Sequence, residues 1–168
     1  MFIIIIFLIG AFIYVAFKIY EPYAYKSAIP EKLGPIKTLY VGGHAGLREG
    51  CGAAIFHLTK ETTRNIEKEN INFFQNASKY RNNKRGYSQW YKSPINESVT
   101  EGKNNTKSKS YGAYDNGLSC LKKERRNANL IKSIRKAYHE KGSYYAVGHE
   151  SVIFVSPELR IVVFTYFG

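Results

Sequence analysis

The chain begins with seventeen residues, Met1 to Phe17, that carry no charge: MFIIIIFLIGAFIYVAF. A helix over them rises roughly 25 Å, close to the ~30 Å hydrocarbon thickness of a bilayer. Ile19 and Tyr20 extend it, and Lys18 can snorkel towards the headgroups. The expectation is a transmembrane anchor over residues 1–20, with everything after it a polar domain tethered to the cytoplasmic (inner) membrane. A cleaved signal peptide would need a basic leading region, a shorter apolar core and a small-residue cleavage site. Nothing basic precedes the run except the amino terminus, and Ala24 and Ala28 do not form an A-x-A site.

Two signals bear on orientation, and they oppose each other. Lys18, Lys26, Lys32 and Lys37 come after the span, which by the positive-inside rule places that side in the cytoplasm. Against this, an anchor at the extreme N-terminus commonly exports the domain behind it. Cys51 and Cys120 would suit one disulfide in an oxidising compartment, although each also reads as a small buried residue of a reduced protein. The expectation is an extracytoplasmic domain, with the orientation open.

The residues after the anchor suffice for one domain and one core. The chain holds 25 Lys and Arg against 13 Asp and Glu, for a net charge of +12. The excess is local: residues 79–141 contain 16 basic and 5 acidic residues, eleven of those twelve charges. A basic surface of this kind suits anionic lipid, nucleic acid or an acidic protein; a solvated, charge-rich loop and helix face is the plain alternative.

Pro22, Pro30, Gly34 and Pro35 make residues 21–35 read as an extended linker, leading to a single domain over 36–168. Ile36 to Val41 is a short strand candidate, and Gly42-Gly43-His44-Ala45-Gly46 reads as a loop. Gly50 to Leu58 is a second strand. Thr59 then stands as the N-cap of a helix to about Ala77, with Glu61 in its first turn and a break near Asn70. A long polar loop is expected over 78–117, containing the chain's single tryptophan in Tyr87-Ser88-Gln89-Trp90-Tyr91. A second helix is expected from Leu118 to about His139. Tyr144–Val147, Val152–Val155 and Arg160–Tyr166 are the clearest strands, the last two apolar on both faces. The fold class expected is α+β: a mainly antiparallel five-stranded sheet packed by two helices.

Four stretches together carry a resemblance. They are Gly50 to Leu58, the helix ending in Asn72-Phe73-Phe74, the helix ending in Gly142-Ser143-Tyr144-Tyr145, and the Val155-Ser156-Pro157 hairpin. With the anchor, this succession resembles small membrane-anchored bacterial proteins of the immunity type. The resemblance spans residues 48–168 outside the long loop. It implies a protein that binds and neutralises a secreted toxin, and it transfers no site residues.

Catalytic patterns do not appear. The four histidines, His44, His57, His139 and His149, include no H-E-x-x-H, and there is no G-x-S-x-G, Walker loop or G-x-G-x-x-G. Two cysteines are too few for a structural zinc site unless two histidines join them. Cys51 beside His44 or His57 as nucleophile and base, and Glu49 with Asp115 as a carboxylate pair, rest on residue type alone. No enzyme activity, cofactor or metal is expected.

Function is therefore expected in the basic, aromatic-bearing segment. The candidate partner-binding residues are Tyr87, Trp90, Tyr91, Lys122, Arg125 and Arg126, facing an acidic protein such as a toxin. Trp90 pinning the loop to the core is the competing reading. A membrane-surface or nucleic-acid module using residues 79–141 is the alternative function, with nucleic acid disfavoured for an exported domain. An enzyme with a cryptic Cys/His or carboxylate site is the third.

Overall fold

The structure is a computed structural model that describes residues 2–45, 50–79, 81, 86–96, 109–121 and 127–167. The first helix, α1, runs Phe2–Ser27 without a break. Its stretch Ile5–Ser27 is long and apolar enough to cross a bilayer, the one such helix among the described residues. Ile6, Phe7, Phe12 and Ile13 are each more than half exposed, as side chains meant for lipid would be.

The segment 21–35 is not the extended linker the prolines imply. α1 continues through Pro22 to Ser27, and Glu31–Leu33 forms a 3-10 turn that starts after Pro30 and closes at Gly34. Ala28, Ile29, Leu33 and Ile36 are buried core residues. Four apolar side chains in nine residues are too many to leave in water, and burying them outweighs the extended preference of the prolines. The apolar helix α1 therefore runs directly into the domain core.

Six strands form one antiparallel sheet: β1 Lys37–Ala45, β2 Gly50–His57, β3 Trp90–Lys92, β4 Tyr144–Gly148, β5 Ser151–Ser156 and β6 Ile161–Phe167. Their order is β1-β2-β6-β5-β4-β3, with every neighbouring pair antiparallel. The architecture is α+β, with six strands rather than five. The sixth, β3, lies inside the region read as a polar loop and pairs with β4, Trp90 opposite Ala146. β1 is also longer than its apolar start implies, because Gly42 to Ala45 continue the ladder against Gly50 to Ala53.

Helices cover both faces of the sheet, and the period-2 alternation of the strands divides the core in two. Ala54, Phe56, Ile153, Val155, Val162 and Phe164 face Ile29, Leu33 and Ile66 of the helix α2, Lys60–Glu69. Ala53, Ile55, Val152, Phe154, Ile161 and Val163 face the other side, with Leu118, Ile131, Ile134 and Tyr138. This double burial explains why β5 and β6 read as continuous apolar runs.

α2 spans Lys60–Glu69. Its cap is the expected one: Thr59 Oγ1 accepts from the Thr62 N–H at 3.1 Å. It stops sooner than Ala77 because Asn70 adopts φ 55°, the left-handed region. A 3-10 turn, Asn70–Phe74, then drives Phe73 and Phe74 into the core. The single helix expected over 118–139 is also two pieces. α3 is Lys109–Ser119, with Leu118 at its end, and α4 is Ala128–His139. Gly117 sets how closely α3 approaches the sheet: a Cβ there would lie 2.9 Å from the carbonyl oxygens of Gly52 and Tyr166.

Candidate functional site

Trp90 and Tyr87, placed by sequence at a partner surface, are core residues. Trp90 is 6% exposed. Its ring stacks on Phe74 with centroids 4.2 Å apart, and its Nε1 donates to the Ala77 carbonyl at 3.0 Å. The Tyr87 hydroxyl donates to the Ala28 carbonyl at 2.8 Å, tying the segment before β3 to the end of α1. Both aromatic polar atoms are thus spent on backbone carbonyls inside the fold. Tyr91 points to the opposite face, half-buried, and stacks on Tyr145 at 5.4 Å. Lys122, Arg125 and Arg126 lie outside the described residues, as do half of the 16 basic residues of segment 79–141. Of the six expected contact residues, Tyr91 is the one with a described side chain that reaches the surface.

A cleft of about 530 Å³ opens beside the buried aromatics. Phe74, Tyr87 and Trp90 form its floor, and Asn72, Gln75, Asn76 and Gln89 its rim. Among the described residues its lining holds no carboxylate, histidine, lysine, arginine or cysteine. It can offer amide hydrogen bonds, and none of the described groups there is a general acid or base near neutral pH. The sequence hinted at this place only through the asparagines and glutamines around Phe74.

Of the residues considered for chemistry, the two cysteines and Asp115 are already engaged. Cys51 and Cys120 are joined in a disulfide with their Cα atoms 6.2 Å apart. A disulfide-bonded Cys51 has no thiolate to offer beside His44 or His57. Asp115 receives Arg135 Nε at 2.9 Å, and the same guanidinium donates through Nη2 to Ser119 Oγ at 2.9 Å, which braces α3 against α4. Glu49 lies outside the described residues. His149 projects into solvent, its side chain 90% exposed. No cluster of three metal-ligating side chains occurs among the described residues.

Behind the Arg135 brace lies Tyr138, fully buried, its ring edge-on to Tyr114 at 5.2 Å and to Phe154 at 4.6 Å. Burial holds its phenol far above the ordinary tyrosine range, reinforced by the nearby Asp115 and Tyr114. Its hydroxyl has no hydrogen-bond partner among the described residues.

The fold and these side chains define a class: an antiparallel α+β domain, covered on both faces and carried on a helix suited to span a membrane. Compared with known proteins, the chain matches no family model, no curated protein and no solved structure.

Proposed function

We propose that this is a membrane-tethered protein-binding domain of the immunity type, which holds and neutralises a secreted bacterial toxin at the inner membrane. The observation that carries the reading is the continuity of α1 with the core. Ala28 and Ile29 are buried one and two residues after the helix ends, so the domain is presented at the bilayer as one piece with its anchor. Helices cover both sheet faces, leaving the sheet edges, the loops and the basic segment for a partner. The Cys51–Cys120 bridge favours an extracytoplasmic domain, where disulfides persist. The partner is an acidic protein, steered by the charge of residues 79–141. Tyr91 is the aromatic anchor, and Lys122, Arg125 and Arg126 supply the charge.

The test is co-expression of the full-length chain with the product of the reading frame next to its gene, a toxin-like sequence being the expected finding there, and then co-purification in detergent. The wild-type chain is expected to restore growth and to retain the toxin. Tyr91→Ala should weaken retention about thirtyfold, the equivalent of roughly 2 kcal/mol at a contact centre. Arg125→Glu with Arg126→Glu should weaken it most at low salt. A chain that neither protects nor co-purifies sinks the proposal. Equal retention of many unrelated acidic proteins at low salt would instead favour a general anionic-surface binder.

A further inference from the structure

The antiparallel register sorts the sheet into two ends. Gly43 lies opposite Gly52, Gly52 opposite Tyr166, Tyr166 opposite Ser151, and Ser151 opposite Gly148. That row marks one end, and the His149-Glu150 turn lies just beyond it. Lys37, His57, Ile161 and Ser156 form the row at the other end, capped by the turn at Pro157–Arg160.

α1 meets the first row. The Tyr25 ring lies 6.1 Å from that of Tyr166 and 6.0 Å from that of Phe164. Its hydroxyl occupies the space a side chain would need at Gly43, where a Cβ would fall 2.8 Å away, and it crowds Gly52 in the same way. From there the chain runs on towards the second row. The Leu33 and Gly34 carbonyls accept from Thr62 Oγ1 at 3.4 Å and Arg81 Nη2 at 3.0 Å, and Thr62 lies in the first turn of α2, directly after β2.

Lipid contact has to end near Tyr20, because from Glu21 onward α1 is largely half-buried against the domain. Tyr20 and Tyr23 are 64% and 61% exposed, as interfacial tyrosines are. From Lys18 to Tyr25 the helix rises roughly 10 Å, comparable with the headgroup layer. Beyond the Gly43–Gly52 pair the ladder continues for only two more pairs, to Ala45 and Gly50.

We infer that the Gly43–Gly52–Tyr166–Gly148 end of the sheet rests in fixed orientation on the headgroup layer of the bilayer that α1 spans, with the Pro157–Arg160 turn pointing away. The inference depends on α1 being the membrane span and adds which surface of the domain the lipid covers.

The test uses the full-length protein in nanodiscs, with a fluorophore on His149→Cys or Glu158→Cys and nitroxide quenchers on the lipid headgroups. Gln89→Cys, adjoining the same end through the Ser88 N–H to Val147 carbonyl bond, replaces His149→Cys should that variant misfold. Quenching at 149 or 89 is expected to exceed that at 158 at least threefold. Equal quenching, or stronger quenching at 158, overturns the orientation while leaving the span intact. A chain that stays in solution with its N-terminus whole overturns the span, and the orientation with it.

Discussion

Tyr138 shows what sequence cannot convey about a single residue. On paper it is one more tyrosine on the α4 face, yet the fold removes it wholly from water and leaves its hydroxyl unpartnered among the described residues. A buried hydroxyl without a hydrogen bond costs about 1–3 kcal/mol. Tyr138→Phe keeps the ring contacts with Tyr114 and Phe154 and removes that cost. The expected outcome is a melting temperature unchanged or higher by a few degrees. A loss of more than about 1 kcal/mol would show that the hydroxyl is satisfied. Trp90 teaches the opposite lesson. Its residue type fits an interface and a core equally well. What decided between them was Phe74 and the Ala77 carbonyl, both delivered by the 3-10 turn that Asn70 starts.

The legible elements were those whose pattern is dictated by burial on the spot. β2, β5 and β6 announce themselves because both their faces are covered, and Thr59 caps a helix wherever it stands. β3 was hidden, being three residues long in a polar stretch and defined only by its partner β4. α3 was hidden because Gly112, Asn116 and Gly117 lower its helix propensity. The sheet nevertheless requires Gly117, since no larger residue could approach the Gly52 and Tyr166 carbonyls so closely. The disulfide fastens this weak helix, holding Cys120 just past its end to Cys51 on β2 across 69 residues. Closing a loop of that size stabilises a fold by roughly 4 kcal/mol in the chain-entropy model. Reduction, or Cys120→Ser, should lower the denaturation midpoint accordingly, with α3 the first element to lose hydrogen-exchange protection. Unreduced, denatured protein should titrate no thiols; two would contradict the bridge.

At the scale of the molecule, three buried tyrosines tie stability to alkaline pH. Burial raises the phenols of Tyr138, Tyr144 and Tyr145 above the ordinary value of about 10. The unfolded chain releases these protons at lower pH than the folded one, so their contribution is complete below about pH 10 and is lost as pH rises beyond it. Thermal melts should be level between about pH 8 and 9 and fall above about pH 10; stability holding constant to about pH 12 would contradict the burial. The overall class, a membrane-suited helix leading an α+β domain, was readable from the first seventeen residues and the last thirty. The junction between them was not, because Pro22 inside α1 and Pro30 ahead of the 3-10 turn look the same in sequence as prolines that keep a chain extended.

That junction has a consequence for assembly by way of β1, one of the two edge strands of the sheet among the described residues. Its ladder is irregular between Thr38 and Tyr40, and Leu39 there is exposed. An open edge invites pairing with another strand, and irregularities of this kind discourage it. Copies inserted the same way into one bilayer are related by rotations about the membrane normal, which leave the up-or-down sense of every strand unchanged. On the orientation inferred above, with the Gly43 end towards lipid, β1 descends in all of them. Antiparallel joining of one β1 to another would need one strand to ascend, so symmetry forbids that dimer within a shared membrane. The antiparallel seat on this edge stays open to a strand from a chain not bound by the same anchor.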